Sequence, residues 1–488
     1  MIGEAEYIRR YCENELEIIP SSWSSVNFEK IIEDKTDSRK KTPKSKFQEE
    51  GSIPVVDQGQ ELIAGYIDDN KKIRIFNKPV IVFGDHTLAF KFIDFDFAQG
   101  ADGVRVLYPP DGLESKFLYY YFKYLPLPHK GYSRHFKYLK QCQIALPLSN
   151  EQERIVQKIE SCFEKIDETE SSLNKVEKLL EKYRESLLSK AFRGELIPQN
   201  PDDEPASVLL SKIRAEREKA ETSKKKKVQA FAPITDDEKP FDIPESWEWV
   251  RLNEIIDVRD GTHDSPKLIK EGVPLVTSKN LRTGQLDLVN VSYISKKDHE
   301  AIKIRSEVQR GDLLMAMIGT IGNPIIVDTS EEFSIKNIAL FKRNKYFKSL
   351  SILKLFIESP LFLEVVRNSS KGTTQKFLSL TVLRNMLFPL PPMREIEALC
   401  KRIDIELFGL KKIIFDIEKM KKHTSLFRDS TLNKAFEGRL VEQIDSEGTG
   451  QELLEKILKA KAEEAPKKKV TKKKFAKKTA KKKTTKKK

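Results

Sequence analysis

Lys190-Ala191-Phe192-Arg193-Gly194-Glu195-Leu196 returns 244 residues later as Lys434-Ala435-Phe436-Glu437-Gly438-Arg439-Leu440. Other matches fall in the same order. Ile19-Pro20-Ser21-Ser22-Trp23 recurs as Ile243-Pro244-Glu245-Ser246-Trp247, and Ile31-Ile32 as Ile255-Ile256. Ile53-Pro54-Val55-Val56 recurs as Val273-Pro274-Leu275-Val276. Lys130-Gly131, with Phe136, recurs as Lys371-Gly372 with Phe377, and Leu209-Leu210 with Ile213 as Leu453-Leu454 with Ile457. The offsets drift between 220 and 244 without breaking collinearity, which chance does not arrange. The chain is a tandem duplication, each half a globular part followed by a helical part.

The helical parts carry a seam. Asn150 reads as an N-cap, with Glu151 and Glu153 complementing the helix dipole in the first turn. Apolar residues follow at steps of three and four, Ile155, Ile159, Phe163, Ile166, Leu173, Val176, Leu180, Tyr183 and Leu187, with Thr169 filling the one polar gap. Gly194 is a natural stop. The second half repeats the stripe with Leu399, Ile403, Leu407, Leu410, Ile413, Ile417, Met420 and Phe427. A helix of roughly 40 residues is about 60 Å long, more than its own small domain covers. The expected solution is an antiparallel coiled coil, with Ile159, Phe163, Ile166, Leu173, Val176, Leu180 and Tyr183 facing Ile403, Leu407, Leu410, Ile417 and Met420.

Between the helices the pattern shifts to short β-rich runs, such as Pro79 to Phe83, Gly103 to Tyr108, Gly311 to Ala316 and Asn337 to Phe341. Short helical stretches intervene, for example Ser115 to Tyr124 and Ser349 to Asn368. Each globular part reads as α+β with a twisted, mostly antiparallel sheet. The partition is 1–149 and 243–392 for the globular parts, 150–220 and 393–465 for the helical spacers, 221–242 for a lysine-rich linker, and 466–488 for a basic tail.

The formal charge of +14 is matched by the 14 lysines of residues 467–488, a stretch without acids, so residues 1–466 are formally neutral. The tail is expected to be disordered and to bind DNA without sequence preference, or to act only as a solubilising extension. No run of about 18 apolar residues predicts a membrane span. Four scattered cysteines fit a reducing, cytoplasmic setting and no zinc ribbon. No P-loop, G-x-G-x-x-G, H-E-x-x-H or G-x-S-x-G motif occurs. Tyr108-Pro109-Pro110-Asp111 and Leu390-Pro391-Pro392-Met393 lack the order an adenine methyltransferase tetrapeptide needs. No catalytic residue and no metal ligand is therefore assigned.

Positive signals point to nucleic acid. Lys130-Gly131-Tyr132-Ser133-Arg134-His135-Phe136-Lys137 interleaves cations with aromatics, and its counterpart is Lys371-Gly372-Thr373-Thr374-Gln375-Lys376-Phe377. Lysine and arginine neutralise phosphates; arginine, glutamine and threonine read base edges. The candidates are Lys130, Tyr132, Arg134, His135 and Lys137 in the first half. In the second they are His263, Lys279, Asn280, Lys371, Thr373, Thr374, Gln375 and Lys376.

The order domain, long helix, domain, long helix resembles the specificity subunit of type I restriction–modification systems. The I-P-x-S-W openings at Ile19 and Ile243, the run Leu146 to Val156 (L-P-L-S-N-E-Q-E-R-I-V) and the two K-A-F-x-G-x-L segments carry the resemblance. So does Val82 to Val106, with Phe83-Gly84-Asp85-His86-Thr87, which looks like a target recognition domain. In the second half Pro391-Pro392-Met393-Arg394-Glu395-Ile396 departs from the Glu-Gln-Glu of the first. The resemblance implies two α/β target recognition domains, each reading half of a split site in double-stranded DNA, with the helix pair fixing the gap. It implies two methyltransferase subunits docked on the helices and restriction subunits joining them. S-adenosylmethionine, ATP and Mg2+ belong to those partners, and this chain binds no cofactor and is non-catalytic. The competing readings are a coiled-coil scaffold with two protein-binding domains, and an enzyme with an unrecognised site.

Overall fold

The computed structural model describes residues 4–13, 19–131, 133–223, 231–369 and 377–463. Tyr132, Lys371, Thr373, Thr374, Gln375, Lys376 and the tail lie outside them. The chain divides into two units, one of Met1–Leu173 with Lys419–Lys488 and one of Asn174–Glu418. Both boundaries fall inside 44-residue helices, Ser149–Phe192 and Met393–Phe436. The first of these begins one residue ahead of Asn150. Leu148 serves as its cap, its carbonyl accepting from Gln152 N at 3.0 Å, while the Gln152 amide reaches Pro147 O at 2.8 Å.

The first unit contains strands β1 (Ser24–Asn27), β2 (Glu33–Asp34), β3 (Ile53–Val56), β4 (Gly65–Ile67), β5 (Ile73–Arg74), β6 (Val80–Gly84), β7 (Phe90–Ile93), β8 (Phe97–Gln99), β9 (Val104–Tyr108) and β10 (Gln143–Leu146). They form two four-stranded sheets, β2-β9-β6-β7 and β4-β3-β8-β5, and the antiparallel pair β1-β10. The β6 run Val-Ile-Val-Phe is buried on both faces, as its unbroken apolar character demands.

The second unit contains β11 (Glu248–Arg251), β12 (Asp257–Asp260), β13 (Val273–Val276), β14 (Ser292–Ile294), β15 (Leu313–Ala316), β16 (Gly322–Ile326), β17 (Ser334–Ile335), β18 (Ile338–Lys342) and β19 (Leu387–Leu390). Its sheets run β12-β18-β15-β16 and β14-β13-β17, with the pair β11-β19. The strand orders match those of the first unit, except that β5 has no counterpart. Even the uncommon parallel pairing repeats: Val55 faces Ala98 across β3-β8, and Leu275 faces Ser334 across β13-β17.

Each core takes side chains from both halves of the sequence. In the first unit Leu432, Ala435 and Phe436 of the second long helix, with Leu453, Leu454 and Ile457, join Trp23, Phe117 and Ile144. In the second unit Leu188, Ala191 and Phe192 of the first long helix, with Leu209, Leu210 and Ile213, join Trp247, Phe356 and Phe388. Gly194 and Gly438 end the two helices at φ of +75° and +68°, conformations in which glycine is unstrained. A Cβ on Gly194 would stand 2.4 Å from Pro244, and one on Gly438 2.0 Å from Pro20. The two motif types that revealed the duplication therefore meet crosswise, K-A-F-x-G of one half on I-P-x-S-W of the other.

Within each unit the long-helix segments run antiparallel. In the first, Arg428 pairs with Asp167 and reaches Glu170 at 3.4 Å, while the earlier Thr424 donates to Glu170 at 2.8 Å. In the second, Tyr183 donates to Glu406 at 3.0 Å. Of the seam residues, Ile159, Ile166, Leu173, Ile403, Leu410 and Ile417 are buried, and Phe163, Leu180 and Leu407 are half-buried. Val176, Tyr183 and Met420 are 39%, 47% and 48% exposed.

Candidate nucleic-acid interface

In each unit the duplicated sheets bring the same loops to one rim. In the first unit these follow β3, β6 and β8; in the second they follow β13, β15 and β17. Several of their backbone bonds correspond. Gly100 N donates to Val56 O at 2.9 Å, as Lys336 N does to Val276 O at 2.9 Å. Thr42 N donates to Gln99 O at 2.9 Å, as Thr262 N does to Ile335 O at 3.0 Å. Asp85 N donates to Gly103 O, and Met317 N to Asn337 O. Gly103 and Asn337 both adopt positive φ, +64° and +54°, a region that glycine and asparagine enter most readily.

The segment proposed from sequence closes onto this rim. His135 N donates to Asp85 O at 2.8 Å, and Leu378 N to Met317 O at 3.0 Å at the corresponding place. His135 is fully buried and occupied internally: Nδ1 lies 2.9 Å from Asp85 O, and Nε2 accepts from Lys130 N at 3.1 Å. Its role is to shape the loop that carries its neighbours. Lys130, Arg134 and Lys137 are exposed. Lys130 is 3.2 Å from Glu4, and this bond holds the Glu4 carboxyl below its usual value. Lys137 lies 4.6 Å above the Tyr138 ring. The Ser133 carbonyl stands 3.0 Å from His86 Nδ1, tying the segment to the loop after β6.

In the second unit His263 is half in solvent, its Nε2 2.7 Å from Asp260 and its Nδ1 3.0 Å from Asn337. Lys279 is exposed. Asn280 is buried, and both ends of its amide are engaged. Its Oδ1 accepts from Thr277 N and Oγ1 at 3.0 Å, and its Nδ2 donates to Asp287 O at 3.2 Å and Asn290 O at 2.9 Å. It braces the loop that presents Lys279.

One rim contact involves a buried charge. Lys91 on β7 has its ammonium 3.4 Å from Asp57; burial pushes it below its ordinary value, against the pull of that carboxylate. The arrangement as a whole offers donors, acceptors and cations on loops pinned by sheet bonds. Among the described residues no group of three or more His, Cys, Asp or Glu is placed to hold a metal, and no helix is long and apolar enough to cross a membrane.

In the sequence Asp85 and His86 enter only as part of the family resemblance, and Lys336 and Asn337 are not singled out, because their place on the rim depends on strand pairing. The run Arg39-Lys40-Lys41-Thr42-Pro43-Lys44-Ser45-Lys46, with five cations and no acid, is not among the candidates, and its Lys44 and Lys46 are exposed. That run was a legible signal.

The family model for the type I restriction modification DNA specificity domain matches residues 20–178 and 244–424. The chain is 27% identical over 294 residues to the type I restriction enzyme EcoAI specificity subunit of Escherichia coli, across 57% of this chain and 48% of that one. It is 26% identical over 344 residues to the EcoBI specificity subunit of Escherichia coli, across 68% of this chain and 67% of that one. The alignment thus spans about half the length of the first relative. A chain in a solved structure described as "Structural basis underlying complex assembly and conformational transition of the type I R-M system" shares the fold. Its TM-score is 0.58 at 15% identity, over 86% of this chain and 99% of that one. The chain belongs to the type I restriction modification DNA specificity domain family.

Proposed function

We propose that this chain is the DNA-reading subunit of a type I restriction–modification assembly. Each rim reads one half of a bipartite site in duplex DNA, and the long helices set the gap between the halves and dock two methyltransferase subunits. Restriction subunits join that complex in the cytoplasm. The chain itself is non-catalytic; S-adenosylmethionine, ATP and Mg2+ act on the partner subunits. The observation that supports this reading is the repetition of one backbone frame with different side chains upon it, in a member of a DNA specificity family. Two readers that share a scaffold and differ in their loops suit an asymmetric two-part target.

The test is adenine-methylation mapping in a host lacking other adenine methylation, with the chain and its partner subunits expressed together. The expected result is a chain-dependent two-part motif with a fixed gap. Replacing residues 19–148 by the corresponding domain of a relative is expected to change one half of that motif only. Full methylation with no dependence on this chain, or a change in both halves, counts against the proposal.

A further inference from the structure

The two rims are an internal comparison: positions that hold the frame should match, and positions that read should not. The span after Thr42 and Thr262 separates the two kinds of residue most clearly. Both spans start on a threonine that pairs in parallel with the residue after a strand, Thr42 with Gly100 and Thr262 with Lys336. Both end in an antiparallel bridge to a tyrosine, Gln48 with Tyr66 and Ile269 with Tyr293. Between these anchors lie Pro43-Lys44-Ser45-Lys46-Phe47 in the first unit and His263-Asp264-Ser265-Pro266-Lys267-Leu268 in the second. Thr42 and Thr262 match, as do Tyr66 and Tyr293, whereas their bridge partners Gly100 and Lys336, and Gln48 and Ile269, do not; the spans themselves differ in length, charge and nearly every side chain.

The first span is stiff and unoccupied. Lys46 N donates to Pro43 O at 2.9 Å and Phe47 N to Lys44 O at 3.0 Å, making a tight turn whose entry proline has a restricted φ. Phe47 packs on the Ile53, Val55, Ile67 and Ala98 cluster, fixing the far end. Lys44, Ser45 and Lys46 point outward and are exposed, and neither lysine forms an ion pair among the described residues. Two lysines held on a rigid turn with no protein partner lower the entropic cost of engaging a ligand rich in acceptors.

On the reading of the rims as DNA-facing, we infer that the span 43–47 is a base-reading element of the first half-site, with Lys44 and Lys46 as specificity-determining residues. An ammonium only donates, so it suits the O6 and N7 acceptors that guanine presents in the major groove. The second span carries one exposed lysine, Lys267, and adds Asp264, an acceptor suited to the amino groups of cytosine or adenine that the first span lacks.

The test uses the complete complex with Lys44→Gln, Lys46→Gln and the double variant, and with Lys71→Gln as a control. Lys71 is an exposed lysine in a turn of the same unit, outside the span. Methylated sites are mapped across the host genome. The span variants are expected to relax one or more guanine-bearing positions of the first half-site, by roughly tenfold or more in preference. The second half-site and the gap stay unchanged, and Lys71→Gln leaves the motif as it was. An unchanged motif methylated to a lesser extent would mean phosphate contact alone and overturns the inference, as does a change confined to the second half. If a variant methylates nothing, the purified complex is titrated with the wild-type duplex and with duplexes altered at each first-half position. A ratio of affinities equal to that of the unsubstituted complex then overturns it. Absence of any two-part motif with the unsubstituted chain defeats the broader reading instead.

Discussion

Glu151 and Glu395 stand in the first turns of the two long helices, and both are buried. Each accepts a tryptophan indole, Trp23 at 3.0 Å and Trp247 at 2.8 Å, and a glutamine from beyond the other long helix, Gln443 and Gln199. Ser22 and Ser246 complete the network by donating to those glutamines at 2.8 and 2.9 Å. Burial raises both carboxyls above the ordinary glutamate value, against the lowering by the hydrogen bonds they accept. A raised folded value means the native state holds the proton more firmly. The contribution to stability is therefore full below the unfolded value and declines as pH rises through the folded one. The double variant Glu151→Gln, Glu395→Gln is expected to lose that component, so the difference in urea midpoint between it and the parent should shift in its favour from about pH 4 to about pH 7. A pH-independent difference contradicts this. At the same scale, Trp23→Phe keeps one six-membered aromatic ring but removes the pyrrole part of the indole with its N–H donor, at an expected cost of about 2 kcal/mol or more by chemical denaturation.

Elements were more legible than their edges. The strand expected over Pro79 to Phe83 is Val80–Gly84, and the helix expected from Ser115 to Tyr124 has those bounds. The stretch from Ser349 to Asn368 is two helices, Ser351–Ile357 and Pro360–Ser369. Pro360 lacks the amide needed to continue a helix but suits the first turn of the next, and the buried Ser359 hydroxyl receives Phe362 N at 3.4 Å. The rim was harder to read, because polar residues in loops look alike in sequence. His135 and Asn280 turned out to be braces, a distinction that depends on which backbone groups the fold places beside them. The seam shows a similar gradation that periodicity does not carry. Ile403 is fully buried, whereas Met420 is 48% exposed. Ile403→Ala is expected to destabilise the second unit by about 3 kcal/mol, and Met420→Ala to cost less than about 1 kcal/mol, both measured by denaturant titration. Equal losses would restore a uniformly buried seam.

At the scale of the molecule, neither unit coincides with one repeat of the duplication: the first combines the two ends of the chain, and the second is its continuous middle. The first unit needs residues beyond 418 to complete its core, although they follow the whole of the second unit in the chain. Six of them, Leu432, Ala435, Phe436, Leu453, Leu454 and Ile457, belong to one apolar cluster with buried side chains from Tyr7 to Ile159. Phe436 alone meets the rings of Phe117, Tyr121 and Tyr124 at 5.2–5.4 Å. Losing one buried phenylalanine typically costs 3–5 kcal/mol, and a domain's whole stability is about 5–15 kcal/mol. Truncation after Glu418 therefore removes more than the first unit can spare, while every buried residue of the second unit's main cluster remains. Amide hydrogen exchange is expected to show protection lost at the β1-β10 pair, residues 24–27 and 143–146, and kept at the β11-β19 pair, residues 248–251 and 387–390. Removal of residues 464–488 alone is expected to leave both pairs protected. If truncation after Glu418 spared β1-β10, the first unit would be self-sufficient, and the crosswise contact of Gly438 with Pro20 would be an accessory of the fold rather than a condition for it.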